Sequence, residues 1–261
     1  MFEWLPSGVE LSREVSAAAW FVDRLRPRGL DQLRTFIPSG FDAYVRIFHP
    51  AGYRRSEVGD PEPAGIRWGE LCRDRGVSLD SGVTFRDVSG LGPEDANLDR
   101  LAPMAGTLPP KTCEQLVAVL EPETADGTSW FGLWDGNGFF WSTAHGSGLP
   151  ASASAEERER DRSQARRQDE MLRRFPRVDT GRRRYFLCQG FLRAACSFLG
   201  TIGCAPNLWW SPDQAWVVVT EIDSYSTYVG SSLRVAGNIL TSSDIEAIEV
   251  GLDSVIDPGA S

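Results

Sequence analysis

Lysine is almost missing. Of 27 basic residues only Lys111 is lysine, and the rest are arginine. That skew follows G/C-rich codons and carries no chemistry of its own. Histidine is as scarce, with His49 and His145 alone. Five cysteines, Cys72, Cys113, Cys188, Cys196 and Cys204, stand far apart, form no CxxC and have no histidine near them in sequence. A zinc centre needs tighter ligand spacing, so no metal and no cofactor is expected, and the thiols are expected to be reduced. No G-x-S-x-G, HExxH or Walker A motif occurs, and the glycines of "DGNGFF" do not fit G-x-G-x-x-G. The enzyme classes that carry those signatures are set aside. No basic leader precedes an apolar run in "MFEWLPSGVELSREV", so no signal peptide and a cytoplasmic location are expected. Long apolar runs are also few. Residues 194–212 are 19 uncharged positions, but Gly200, Gly203, Pro206 and Asn207 interrupt them. They read as buried core, not as a membrane span.

What is present is an aromatic, acidic chain. At 261 residues it suits one domain, 1–261, and nine Trp with 13 Phe offer ample core material. Net charge is −9 but uneven. Residues 155–184 hold 11 Arg against 7 acids, which leaves 16 basic against 29 acidic elsewhere. Such a body repels nucleic acid and anionic membranes and suits a basic protein or a cationic ligand.

The pattern predicts an α+β fold with a mainly antiparallel sheet and a few packing helices. "SREVSAAAWFVDRL" reads as a helix through Val15, Ala18, Ala19, Val22 and Leu25, with a strand over "AAWFVDRL" as the alternative. "GFDAYVRIFHP" reads as a strand with Phe41, Ala43, Val45 and Ile47 on one face and Asp42, Tyr44, Arg46 and Phe48 on the other. "RWGELCRDRG" is a short helix ending at Gly76. "PKTCEQLVAVLEPET" is a longer one, with Thr112 as its cap and Gln115 completing a capping box. "TSWFGLWDGNGFFWS" is expected to be a hairpin. Residues 150–180 form a charged insertion, either a solvated helix or disorder, with i,i+4 pairs worth about 0.3–0.5 kcal/mol each. "RYFLCQGFL" and "AWVVVTEI" are strands, "STYVGSS" is the hairpin partner of the latter, "SLRVAGNIL" is a helix, and Ser242 caps a closing element.

The end of "AWVVVTEIDSYSTYVGSS" draws most interest. If the strand runs through Glu221 and Asp223, their side chains share a face about 7 Å apart. A carboxylate pair at the end of an apolar row would serve acid–base chemistry or grip a cation; equally, acids beside a turn are ordinary. His49, between Phe48 and Pro50, would need an orienting carboxylate and a nucleophile to act as a base. Three Trp within "NLWWSPDQAW" form either a binding platform or the end of a core.

Two stretches, "IPSGFDAYVRIFHPAG" and "NLWWSPDQAWVVVTEIDSYSTYVGSS", with "FGLWDGNG" between them, resemble a family of uncharacterised proteins from high-GC Gram-positive bacteria. The likeness covers about 50 residues. It departs from the family pattern at Ser211, which intrudes before Pro212, and at Ser231, which replaces a second glycine. The resemblance implies a single cytosolic domain and points to no particular activity, since none is established for the family. Its matched positions nominate Tyr44, Arg46, His49, Trp210, Asp213, Glu221, Asp223, Thr227 and Tyr228 as a shared site. All of this requires the two blocks to be neighbouring ladders of one sheet. The expected function is a non-enzymatic binding protein of immunity type. The alternative is a small hydrolase or lyase using Glu221 and Asp223, with His49 or Tyr228 assisting.

Overall fold

The computed structural model describes residues 2, 4–26, 32–52, 65–92, 95, 101–141, 152 and 154–256. Their strands are β1 (Glu10–Leu11), β2 (Ala43–Phe48), β3 (Thr128–Trp134), β4 (Val178–Asp179), β5 (Arg184–Phe191), β6 (Leu208–Trp210), β7 (Val217–Thr220), β8 (Ser226–Ser231) and β9 (Ala247–Val250). They form one antiparallel sheet in the order β1-β5-β3-β6-β7-β8-β2-β9, with β4 pairing β5. The helices are α1 (Ala19–Arg24), α2 (Trp68–Arg75), α3 (Phe85–Ser89), α4 (Pro110–Leu120), α5 (Ala155–Arg173), α6 (Ala194–Ile202) and α7 (Leu233–Leu240). The fold is α+β.

Both faces of the sheet are covered, which explains the unbroken apolar runs of its central strands. Val45, Ile47, Phe131, Phe186, Trp209, Val218 and Val229 point to a core shared with α4, α6 and α7. Tyr44, Leu187, Leu208, Trp210, Val217, Val219 and Tyr228 point to a second core beneath α1. The alternation expected for β2 holds within the strand, but Phe41 lies outside it and packs with Trp20 and Tyr44 on the second face. A third cluster, built on Phe48, Trp68, Phe85 and Tyr225, seats α2 and α3 at the end of β2.

Several local expectations are corrected. Thr112 is a buried residue inside α4, which starts on Pro110 with no side-chain cap. Proline at the first helical position loses no hydrogen bond, so no cap is needed to start the helix there. "TSWFGLWDGNGFFWS" is not a hairpin. Only β3 is a strand, and its two edges are already taken by β5 and β6, so the following residues turn into a 3-10 segment, Gly138–Phe140. Ser242 does cap a turn, accepting from the Asp244 and Ile245 backbone N–H groups, but the element beyond it is strand β9. The charged insertion is the helix α5, started by a capping box of Ser154 and Glu157. Pairs Glu156–Arg160 (3.9 Å) and Glu170–Arg174 (3.6 Å) line its solvated side. Leu172, wholly buried, pins its C-terminal end to the first core.

Helix α2 takes its start from a distant carboxylate. Glu246, just before β9, accepts from the backbone N–H groups of Trp68 (2.6 Å) and Gly69 (2.8 Å). A negative charge on two free N–H groups of a first turn is stabilising. Glu246→Ala is therefore expected to destabilise the protein by about 1–2 kcal/mol in urea unfolding. An unchanged midpoint would show that α2 starts without it.

Candidate functional site

The two sequence blocks do meet. β2 pairs β8 from Ala43↔Ser231 to Phe48↔Ser226, and β8 pairs β7 from Val217↔Gly230 to Thr220↔Thr227. Their polar tips consequently share one rim, where His49 leaves β2.

His49 is wholly buried. Its Nδ1 lies 2.7 Å from the Met104 carbonyl oxygen, which only accepts, so Nδ1 carries the proton. Nε2 then accepts from the Thr227 hydroxyl at 2.9 Å, and Thr227 accepts in turn from Thr220 at 2.7 Å. Burial pulls the histidine pKa down to about 4; the Met104 carbonyl opposes this, and the charge of Arg46 adds to it. At neutral pH the ring is an uncharged strut with both nitrogens occupied.

Arg46, on the other side of β2, is also buried. Its Nε donates to Ser226 Oγ (2.9 Å) and its Nη1 to the carbonyls of Val83 (2.9 Å) and Ser81 (3.4 Å). Its guanidinium lies over the rings of Phe48 and Trp68, 4.6 and 5.4 Å from their centroids. Trp68 closes the group by donating from Nε1 to the His49 carbonyl at 2.8 Å. These contacts weld the third cluster to the end of β2.

The other nominated residues disperse. Tyr44 donates to the Pro38 carbonyl (3.1 Å) and accepts from the Phe41 N–H (3.2 Å), and burial raises its pKa. Tyr228 lies inside the second core. Trp210 packs against Trp20 and Phe21 in that core, while Trp209 and Trp216 meet edge to face on the opposite side. All three Trp of "NLWWSPDQAW" are buried, so the cluster is core and not a platform. Asp213 sits in an exposed turn, accepting from the Ala215 N–H at 3.2 Å, away from the rim.

Glu221 and Asp223 need a correction of geometry. Strand β7 stops at Thr220, so the two acids belong to the turn into β8 and are not aligned by the period of a strand. A residue the sequence reading passed over joins them instead. Arg183 Nη2 lies 3.0 Å from Glu221 Oε1 and 2.8 Å from Asp223 Oδ2. Its guanidinium also lies over the Trp134 ring, 5.5 Å from the centroid. Glu221 is nearly buried, Asp223 is exposed, and the cation between them offsets half their charge. Arg183 had been counted only as part of the charged stretch.

Beside this bridge opens a cleft of about 320 Å³, lined by Trp134, Asp135, Asp179 and the run Arg182–Arg184. Asp135 binds Arg177 (3.5 Å) and Arg184 (3.3 Å), so the charges of this wall also neutralise one another. The lining includes neither His49 nor Glu221 nor Asp223. Among the described residues no cluster of three or more His, Cys, Asp or Glu side chains is placed to hold a metal ion. No helix among them is long and apolar enough to cross a membrane. No family model, no curated protein and no solved structure matches this chain.

Proposed function

We propose that this chain is a non-enzymatic binding protein of the cytoplasm, which takes a basic protein or a cationic ligand as its partner and uses neither nucleic acid nor membrane. One observation carries the reading: the residues nominated for chemistry are taken up by structural partners. His49 has both nitrogens occupied and no exposure, and Glu221 and Asp223 close on Arg183. A hydrolase or lyase built on those carboxylates would need them free for substrate, but Glu221 is nearly buried and both are held by Arg183. A general base and the hydroxyl it serves would need to be reached by substrate, and His49 and Thr227 are both wholly buried.

Charge supports the choice of partner. With residues 155–184 set apart, 16 basic side chains stand against 29 acidic ones. A field of that sign speeds encounter with a cationic surface and rejects polyanions. Immunity-type proteins, which cover basic toxin domains, work in this physical way. The resemblance to the Gram-positive family implies one cytosolic domain and speaks neither for nor against catalysis.

The test is capture of a partner at low salt, followed by titration of the purified pair across ionic strength. A basic partner whose affinity falls steeply as salt rises is the expected result. An acidic partner, a salt-independent affinity, or no partner would overturn the reading.

A further inference from the structure

Two of the five cysteines face each other. Cys113 lies in the first turn of α4 and Cys196 is the third residue of α6, on helices packed together over the first core. Their Sγ atoms are 3.2 Å apart. Cys113 is fully buried, whereas Cys196 is partly open to solvent. The remaining three differ. Cys72 and Cys188 are buried, and Cys204 accepts a hydrogen bond from Asn137 Nδ2 at 3.3 Å.

We propose that Cys113 and Cys196 form a reversible disulfide, an oxidative modification site that clamps α4 to α6. A disulfide needs its sulfurs at about 2.05 Å, so they must close by roughly 1.2 Å. Reactivity is divided between them in the right way. Cys196 meets solvent and stands in the first turn of a helix, where the helix dipole favours a thiolate. The contact with Cys113 draws the Cys196 thiol below its ordinary value, against the opposing effects of burial and Glu114. The same contact, with burial, raises Cys113. An accessible thiolate beside a shielded thiol is the layout of an attacking and a resolving cysteine.

With hydrogen peroxide as oxidant the steps balance. The Cys196 thiolate attacks one peroxide oxygen; an S–O bond forms, the O–O bond breaks, and hydroxide leaves. The Cys113 sulfur then attacks the Cys196 sulfur of the sulfenic acid. An S–S bond forms, the S–O bond breaks, and a second hydroxide leaves. The two thiol protons convert both hydroxides to water. Two electrons pass from the sulfurs to peroxide, and a dithiol reverses the change. Disulfides of this transient kind belong in a reducing compartment.

The test treats the native full chain with hydrogen peroxide, then maps a non-reduced digest and counts free thiols. The expected map links the Cys113 and Cys196 peptides, and the free-thiol count falls by two and recovers with dithiothreitol. Bridging residues 83 apart is also expected to raise Tm by roughly 5–10 °C. Cys196→Ser should abolish both the cross-link and the shift, and Cys113→Ala should leave Cys196 as an unresolved sulfenic acid. Three results would each overturn the proposal: a wild-type digest with both thiols still free, Cys196 passing to sulfinic acid with Cys113 intact, or a cross-link to another cysteine.

Discussion

Gly106→Ala is expected to destabilise the protein by about 3–5 kcal/mol, more than any single hydrogen bond at the rim is worth. Gly106 has φ +69°, a conformation that side chains rarely adopt. That strain alone costs about 1 kcal/mol. The larger part is contact. A Cβ on Gly106 would sit 2.2 Å from the Ile222 carbonyl oxygen and 2.8 Å from its carbon, and backbone atoms have little room to yield. Gly106 also donates to the Ser224 carbonyl (2.9 Å) and accepts from Asn207 Nδ2 (3.2 Å). Pushing the segments apart would break both bonds and loosen the turn that holds Glu221 and Asp223. Gly76→Ala is the control. It ends α2 at φ +66° with nothing within 4 Å of a new Cβ, so only the strain of about 1 kcal/mol is expected. Equal losses at the two positions in urea unfolding would show that the Gly106–Ile222 approach does not exist.

Acidification is expected to remove about 3 kcal/mol of stability between pH 6.5 and pH 4 through His49 alone. The unfolded histidine binds its proton near its ordinary value of 6.5, whereas the folded ring resists it down to about 4. Across that interval the unfolded chain holds more protons, so stability falls as pH falls. It is complete above 6.5, declines through the window, and is flat with respect to His49 below 4. Asp87, Asp126 and Glu157 have carboxyls held below their ordinary range by hydrogen bonds from Thr84, Thr128 and Ser154, and their own losses come at lower pH. Urea titrations of the wild type and of His49→Gln across this range separate the contributions. The variant should start less stable at neutral pH, with the Met104 and Thr227 contacts disturbed, and its curve should run flatter from 6.5 to 4. Parallel curves would contradict the assignment.

Much of the sheet was legible because its strands carry their own signals. β2 and β8 alternate between two cores, and the β7–β8 hairpin follows from its apolar runs and the turn at Asp223–Ser226, whereas the pairing of β2 with β8 that joins the two blocks has no local signal. The helices α2 and α4 announced themselves by period and by Gly76 or proline at their ends, and α7 by its period alone. Illegible features depend on partners distant in sequence. Nothing around Glu221 points to Arg183, 38 residues away, and nothing around Trp68 points to Glu246, 178 residues away. The false hairpin after β3 had the same origin, since "DGNG" is a good turn but both edges of β3 were claimed by strands far along the chain. A close approach belongs to Gly230, where a Cβ would lie 2.8 Å from Phe41 and 3.1 Å from Tyr44 and Val217. Of the nominated residues, His49 and Thr227 meet at the rim and Arg46 packs beside them, whereas Tyr44, Trp210, Asp213 and Tyr228 lie elsewhere. Their hydrogen-bond saturation, which decides what they do, is a property of the assembled fold.

If the rim is a closed structural lock and not a reaction centre, the state of the His49 ring is its most direct witness. Nitrogen-15 NMR of the folded protein should find the proton on Nδ1, Nε2 as a hydrogen-bonded acceptor, and no titration until the pH nears 4. A ring that protonates near 6.5 while the fold stays intact would be open to water and free to move protons, which the buried Met104–His49–Thr227–Thr220 chain forbids.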